Sequence, residues 1–174
     1  MILDLDETLI HCDFNLKYDE HSVKLQAEFD DGTKCKLPII MRPFLAKFLE
    51  FARKYFEVVV YTASDASYAD HIINYLDPIG NIFSNRLYRT HFIQVIDKIY
   101  TKPLKLIENR KLENIIVVDN SIYNFAMNLN NGYLISSFYN DKYDTELLKL
   151  EKYLKQDILE CEDVRTVNIE KFKF

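Results

Sequence analysis

A chain of 174 residues with 48% apolar and 28% charged side chains has the make-up of one globular domain large enough to bury its own core. That excludes intrinsic disorder over most of its length and a disulfide-stapled scaffold, and no apolar run reaches the roughly 18 residues of a membrane-spanning helix. Lys+Arg 22 against Asp+Glu 27 leaves a net charge of −5, which argues against a dedicated nucleic-acid binder.

In chain order, Ile2-Leu3 reads as a short buried strand running into the acidic loop Asp4-Leu5-Asp6. Residues 22–40 read as a β-hairpin: Val23, Leu25 and Ala27 alternate with polar residues, Asp30-Asp31-Gly32 turns, and Cys35, Leu37 and Ile39 resume the alternation. Arg42-Pro43 opens a helix whose Phe44, Leu45, Phe48, Leu49 and Ala52 keep the helical period. Val58-Val59-Val60-Tyr61 is an all-apolar, β-branched run and predicts a central parallel strand. A helix follows over Ser64–Tyr75, capped by Ser64 or Asp65, then a short strand at Leu87-Tyr88.

Lys102-Pro103 leads into a helix through Glu108. Ile115–Val118 is a second all-apolar strand, ending on Asp119-Asn120, with Ser121 capping the next helix. Tyr133–Ile135 is a further strand, and 144–156 a closing amphipathic helix. Such alternation implies an α/β architecture: a Rossmann-like parallel sheet with helices on both faces. Few glycines and prolines and no linker or repeat argue for one domain over 1–174, with a small β insertion at about 14–41.

The three cysteines, Cys12, Cys35 and Cys161, are scattered, and a reducing compartment with incidental thiols is expected. Met1-Ile2-Leu3-Asp4 has no basic region of a secretory leader. The first strand has almost no lead-in, which leaves room for an upstream extension carrying a targeting or anchor segment.

Ligands of parallel sheets sit beyond the carboxyl ends of the strands. Three predicted strand ends carry polar chemistry: Asp4 and Asp6, Thr62, and Asp119-Asn120. Side chains two apart leave a strand on the same side, so Asp4 and Asp6 can face one pocket. Two close carboxylates repel unless a cation is present. Carboxylate and amide oxygens are hard ligands suited to Mg²⁺, which also binds phosphate. Thr62 offers a hydroxyl and Lys102 a positive charge for a phosphate. Together they make a phosphoryl-transfer site with a carboxylate nucleophile.

Singly, each has a bland reading: an acidic loop, a strand threonine, a surface lysine, a helix cap. Their occurrence together, three at strand ends, favours the site. Competing signatures fail. Six residues separate Cys35 from Arg42, which a cysteine-phosphatase loop does not allow, and no G-x-x-x-x-G-K-[ST] loop is present. Asp4–Thr8 lacks the EF-hand glycine, and His11, His21, His71 and His91 show no zinc-ligand spacing.

The run Leu3-Asp4-Leu5-Asp6-Glu7-Thr8-Leu9-Ile10-His11 resembles the signature of the haloacid dehalogenase superfamily in its FCP/SCP branch, the NLI-interacting-factor-like phosphatases of the RNA polymerase II C-terminal domain and their relatives. Arg42-Pro43, Tyr61–Ser64, Tyr68-Ala69-Asp70, Leu87-Tyr88-Arg89, Val117–Ser121 and Asp163-Val164-Arg165 extend the resemblance over nearly the whole chain. It implies that Asp4 attacks phosphorus to form an aspartyl-phosphate and that Asp6 protonates the leaving oxygen and then deprotonates water. It implies that Asp4, the Asp6 carbonyl and Asn120 hold Mg²⁺ with Asp119 beside them, while Thr62 and Lys102 grip the phosphate.

The resemblance further implies a small insertion in place of a large cap, and so a phosphoserine or phosphothreonine in a flexible protein segment as substrate. Phe14, Tyr68 and Arg89 fall where the family lines its peptide groove; a core aromatic, a helix-face aromatic and a surface arginine remain open for them. A monomer in the nucleus or cytoplasm, without nucleic acid as partner, is expected. Asp65 departs from an apolar family position, Phe44 from a glycine, and Pro103 from an aspartate. No BRCT or ubiquitin-like domain accompanies the motifs. Two alternatives stand beside the phosphoprotein phosphatase: a non-catalytic binding module of the same fold, which retention of Asp4 and Asp6 disfavours, and a small-molecule phosphatase, which the lack of a large cap disfavours.

Overall fold

The structure is a computed structural model, describing residues 1–14, 22–29 and 31–173. Strands β1 (Ile2–Leu3), β2 (Ile10–Cys12), β3 (Val23–Glu28) and β4 (Lys34–Met41) open the chain. Then come α1 (Leu45–Tyr55), β5 (Val58–Tyr61), α2 (Ala66–Leu76), β6 (Phe83–Leu87), β7 (Ile93–Ile96) and β8 (Ile99–Thr101). The last third holds β9 (Val117–Asp119), β10 (Gly132–Leu134), α3 (Glu146–Tyr153) and α4 (Val164–Phe172).

Five strands form a parallel sheet in the order β10-β9-β1-β5-β6. Alternate residues of its all-apolar strands feed two cores. Leu3, Val58, Val60, Ile116 and Val118 face a larger core that takes residues from all four α-helices. Ile2, Val59, Tyr61, Ile115 and Val117 face a smaller one closed by Leu104 and Phe125. Burial on both faces is why these strands carry no polar alternation. The expected parallel sheet is therefore present, but its second face is covered by 3₁₀ turns at Leu104–Leu106, Leu112–Asn114 and Ile122–Asn131.

Those turns correct two expected helices. After Lys102-Pro103 one 3₁₀ turn forms, ending at Ile107. The segment after Ser121 bends at Phe125 and Asn128. Its asparagines bond main chain in competition with helix; Asn131 Nδ2 donates to the Leu112 and Ile115 carbonyls. Phe125 presses on Gly132, where a Cβ would lie 2.1 Å from the ring.

The predicted hairpin exists as β3 and β4, widened by β2 into a three-stranded antiparallel sheet, β2-β4-β3. Of its predicted turn, Asp30 lies outside the described residues. The β7–β8 hairpin, turning on Asp97-Lys98 with Lys98 at φ 61°, was not expected, having no glycine at its turn. Helix α1 starts at Leu45, after Phe44 in the left-handed region (φ 67°). Asp65 is the N-cap position of α2. The predicted 144–156 helix is α3 continued by a π turn over Leu154–Ile158, and α4 follows it. α4 buries only Val164 and Asn168, so it shows no apolar stripe. All three cysteines are free, and burial pushes the Cys12 thiol up to about 11. Among the described residues no helix is long and apolar enough to cross a membrane.

Candidate active site

β1 ends at Leu3, so Asp4 is the first residue past the sheet, its N–H held by the Val118 carbonyl at 3.0 Å. Glu7 takes a left-handed turn (φ 56°), strain of a kind that gathers at functional loops. Its N–H donates to the Ile10 carbonyl and its carbonyl accepts from Phe138 N–H, both at 2.7 Å. The turn is thus pinned with Asp6 and Thr8 on either side of it. Arg42 fixes it from below. Its buried guanidinium donates to the Thr8 and Ser136 carbonyls and, bidentately, to the Asp144 carboxylate.

A cavity of about 590 Å³ opens at the strand ends. It brings together seven of the nine sequence-selected residues: Asp4, Asp6, Phe14, Thr62, Tyr68, Arg89 and Asn120. The other two, Lys102 and Asp119, are fully buried and do not line it. Lys102 Nζ lies 2.9 Å from Asp4 Oδ1 and 2.5 Å from Asp119 Oδ2. Asp119 is itself saturated, accepting Ser121 N–H and the Asn124 amide as well as Lys102. Its geometry aims Lys102 at Asp4.

Burial and the Asp119 charge push the Asp4 carboxyl up to about 7, with Lys102 pulling the other way. Burial would lower the Lys102 ammonium, but Asp4 and Asp119 outweigh it and hold it above the ordinary lysine value. Asp6 stands on the far wall, its carboxylate accepting from Ser64 Oγ and Tyr68 OH, each at 2.7 Å. Burial, then the Asp6 charge, raise the Tyr68 phenol well above its usual range, so it stays a donor. Thr62 Oγ1 accepts Ser64 N–H at 3.0 Å.

Thr8 Oγ1 lies 3.0 Å from Asp4 Oδ2 and 3.3 Å from Asn120 Oδ1. Its single proton serves one acceptor at a time, and the two oxygens converge on it. Among the described residues no trio of His, Cys, Asp or Glu converges as a metal cluster. The donor set facing the cavity is the mixed oxygen set of Asp4 and Asn120. Hard oxygens beside a buried carboxylate incompletely neutralised by one ammonium fit a divalent cation such as Mg²⁺.

Phe14 is 68% exposed at the rim, which disposes of the core-aromatic reading. Tyr68 projects from α2 into the cavity, and Arg89 lies at its edge, donating to the Ala63 carbonyl and pairing with Asp65 at 3.5 Å. Sequence reasoning did not single out Thr8, Ser64 and Asn124. Thr8 and Ser64 lie inside the motifs, two residues from Asp6 and from Thr62; Asn124 carries no signal beyond its nearness to Asp119.

A family model described as "NLI interacting factor-like phosphatase" matches residues 1–165. The chain is 35% identical over 173 residues to "CTD small phosphatase-like protein 3" of Caenorhabditis elegans, covering 99% of this chain and 59% of that protein. It is 32% identical over 167 residues to human "Carboxy-terminal domain RNA polymerase II polypeptide A small phosphatase 2", covering 95% and 59%. It therefore spans about three fifths of the length of these relatives. Among solved structures, that of "Fcp1, an essential RNA polymerase II CTD phosphatase" aligns with a TM-score of 0.65 at 22% identity, over 99% of this chain and 52% of that one. This likeness shows a shared fold.

Proposed function

The chain belongs to the NLI interacting factor-like phosphatase family, and on that premise we propose that it removes phosphate from serine or threonine in a flexible protein segment through an aspartyl-phosphate on Asp4. The observation that carries this reading is Asp4 at the cavity floor, 2.9 Å from the buried Lys102 ammonium, with Asp6 held across the cavity by Ser64 and Tyr68.

In the first step an Asp4 oxygen bonds to phosphorus as the bond to the serine oxygen breaks. A proton carried by the Asp6 carboxyl passes to that leaving oxygen. Ser64 and Tyr68 position the Asp6 carboxyl for this transfer. In the second step water attacks phosphorus, its proton passes to Asp6, and inorganic phosphate leaves with Asp4 restored. Thr62, whose oxygen already accepts Ser64 N–H, has its own proton to offer a phosphate oxygen. Lys102 steadies Asp4 and the charge that gathers on the transferring group.

Asp4 and Asp119 share one ammonium, and the Asp6 carboxyl stands across the cavity, a poor match for an anionic substrate. Two like charges about 4 Å apart repel by roughly 4 kcal/mol near a protein surface. Asp4, the backbone carbonyl of Asp6 and Asn120 are the groups that would hold Mg²⁺. When bound, Mg²⁺ neutralises phosphate and carboxylate charge so that the two anions can approach. Asp65 puts a carboxylate at the rim beside Arg89. That disfavours a substrate rich in acidic residues on that side.

The test is phosphate release from phosphoserine peptides with Mg²⁺ and with a chelator, beside Asp4→Asn. Release that needs Mg²⁺ and vanishes in the variant supports the reading. A folded, Mg²⁺-loaded chain that binds such peptides without release would instead be a binding module.

A further inference from the structure

A second cavity, of about 660 Å³, adjoins the first and shares Ala63, Arg89, Ser121 and Asn124 with it. Its other walls are Phe92, Ile99, Tyr100 and Tyr123, with Lys98 at the hairpin turn. Resting on the reading above, we infer that this cavity is a substrate subsite: it takes an apolar or aromatic side chain of the phosphoprotein segment, within about three residues of the phosphorylated one.

Several observations point the same way. The catalytic cavity is lined by Asp4, Asp6, Glu7 and Asp65, whereas among the described residues no carboxylate lines the second one. Two halves of such different character suit a segment with a phosphate at one point and an apolar group close by. The second half is also short of partners. Tyr100 is 51% and Tyr123 58% exposed, and Ile96, on the same hairpin, 64%. A two-stranded hairpin is marginal by itself, and these exposed side chains leave apolar surface free to pack against a ligand beside the catalytic cavity.

The subsite is joined to the catalytic lysine. β8 carries Ile99 and Tyr100 and runs directly into Lys102. Thr101 Oγ1 and Lys102 N–H both donate to the Asn124 carbonyl, at 3.0 and 2.7 Å, while the Asn124 amide holds Asp119. The Phe92 ring, a wall of the subsite, stacks edge-on against Tyr61, and Lys102 Nζ lies 5.6 Å from each ring centre. A side chain seated there presses on the groups that set Lys102.

The experiment is a fluorescence-anisotropy titration of labelled phosphoserine peptides against the full chain carrying Asp4→Asn, with Mg²⁺. Phe or Ala stands in turn at each of the three positions on either side of the phosphoserine. At one position Phe is expected to bind about tenfold more tightly than Ala, the surplus left after ordering the peptide. Adding Tyr100→Ser should cut that ratio to about twofold or less. Tyr123→Ser makes the same comparison from the other wall if the first variant does not fold. A ratio near one at every position overturns the subsite, as do a preference that survives both substitutions and peptides that do not bind at all. Turnover of p-nitrophenyl phosphate by the unmodified chain is read alongside. Its absence, with the Phe preference intact, refutes the catalytic reading and leaves the subsite standing; turnover with no preference refutes the subsite alone.

Discussion

Lys102 Nζ and Asp119 Oδ2 lie 2.5 Å apart with neither side chain exposed, so the lysine is fixed by a carboxylate that no substrate can reach. This differs from a lysine waiting at the cavity wall for phosphate. It predicts how loss should divide between kinetic constants. Asp119→Asn should lower kcat about 10²-fold or more while KM changes little. It should also destabilise the fold by about 2–4 kcal/mol, because a buried ammonium loses one of two partners. Steady-state kinetics and urea unfolding of one preparation measure both. A raised KM with kcat preserved would mean that Lys102 binds phosphate directly.

Asp4 predicts a pH signature. Its carboxyl is raised to about 7 by burial and by Asp119, whereas in the unfolded chain it titrates near 3.9. A raised folded value makes a stabilising contribution that is complete below about pH 4 and is lost as pH climbs through about 7. Asn cannot ionise. In chelator, the stability of Asp4→Asn relative to the unmodified chain should therefore rise from pH 4 to pH 8, by about 4 kcal/mol. Mg²⁺ should narrow that gap at pH 8 by stabilising the unmodified chain alone. Denaturant titrations at three pH values decide it; a gap that is flat or falls with pH contradicts the assignment.

How much of this was legible in the sequence depended on what each element buries. The apolar runs Val58–Tyr61 and Ile115–Val118 are readable because both faces of the sheet are buried there. The cluster at their ends was readable because strand ends in a parallel sheet converge by topology. What stayed hidden has no period. α4 buries a polar Asn168, which bonds the Asn130 and Gly132 carbonyls in place of an apolar stripe. The β7–β8 turn uses Asp97-Lys98 where glycine would have signalled it. The depth of Lys102 and the linking role of Asn124 are tertiary facts, set by how Thr101 and Lys102 dock on the Asn124 carbonyl.

Phe44 carries avoidable strain. It precedes α1 at φ 67°, ψ 7°, where a Cβ costs roughly 1–2 kcal/mol, and its ring is 47% exposed. Glycine removes that strain but adds freedom to the unfolded chain, worth somewhat less. Phe44→Gly should stabilise the protein by about 0.5–1 kcal/mol, raising the unfolding midpoint in urea with the slope unchanged. A loss exceeding about 1 kcal/mol would show that the ring does more by packing than its exposure suggests.

Arg42 and Asp144 hold the loop after Asp6 to the start of α3. Burial would raise the Asp144 carboxyl, but hydrogen bonds from Arg42 and the Glu146 N–H outweigh it and hold the group below its ordinary value. A depressed acid stabilises above its unfolded pKa, and that stability is lost as pH falls through the lower folded value. Arg42→Met should cost about 3–5 kcal/mol at neutral pH. It should also flatten the loss of stability below about pH 4, since Asp144 then has no guanidinium to lose. Asp144→Asn should flatten the same limb at smaller cost. Thermal unfolding between pH 3 and 7 tests both.

Asp4 is the group proposed to take up the phosphoryl group. The most direct measurement is acid-quenched turnover of a radiolabelled phosphoserine peptide, followed by location of protein-bound label. Label is expected on the segment containing Asp4, released by hydroxylamine as an acyl phosphate must be, and absent from Asp4→Asn. Undiminished phosphate release by Asp4→Asn would contradict it.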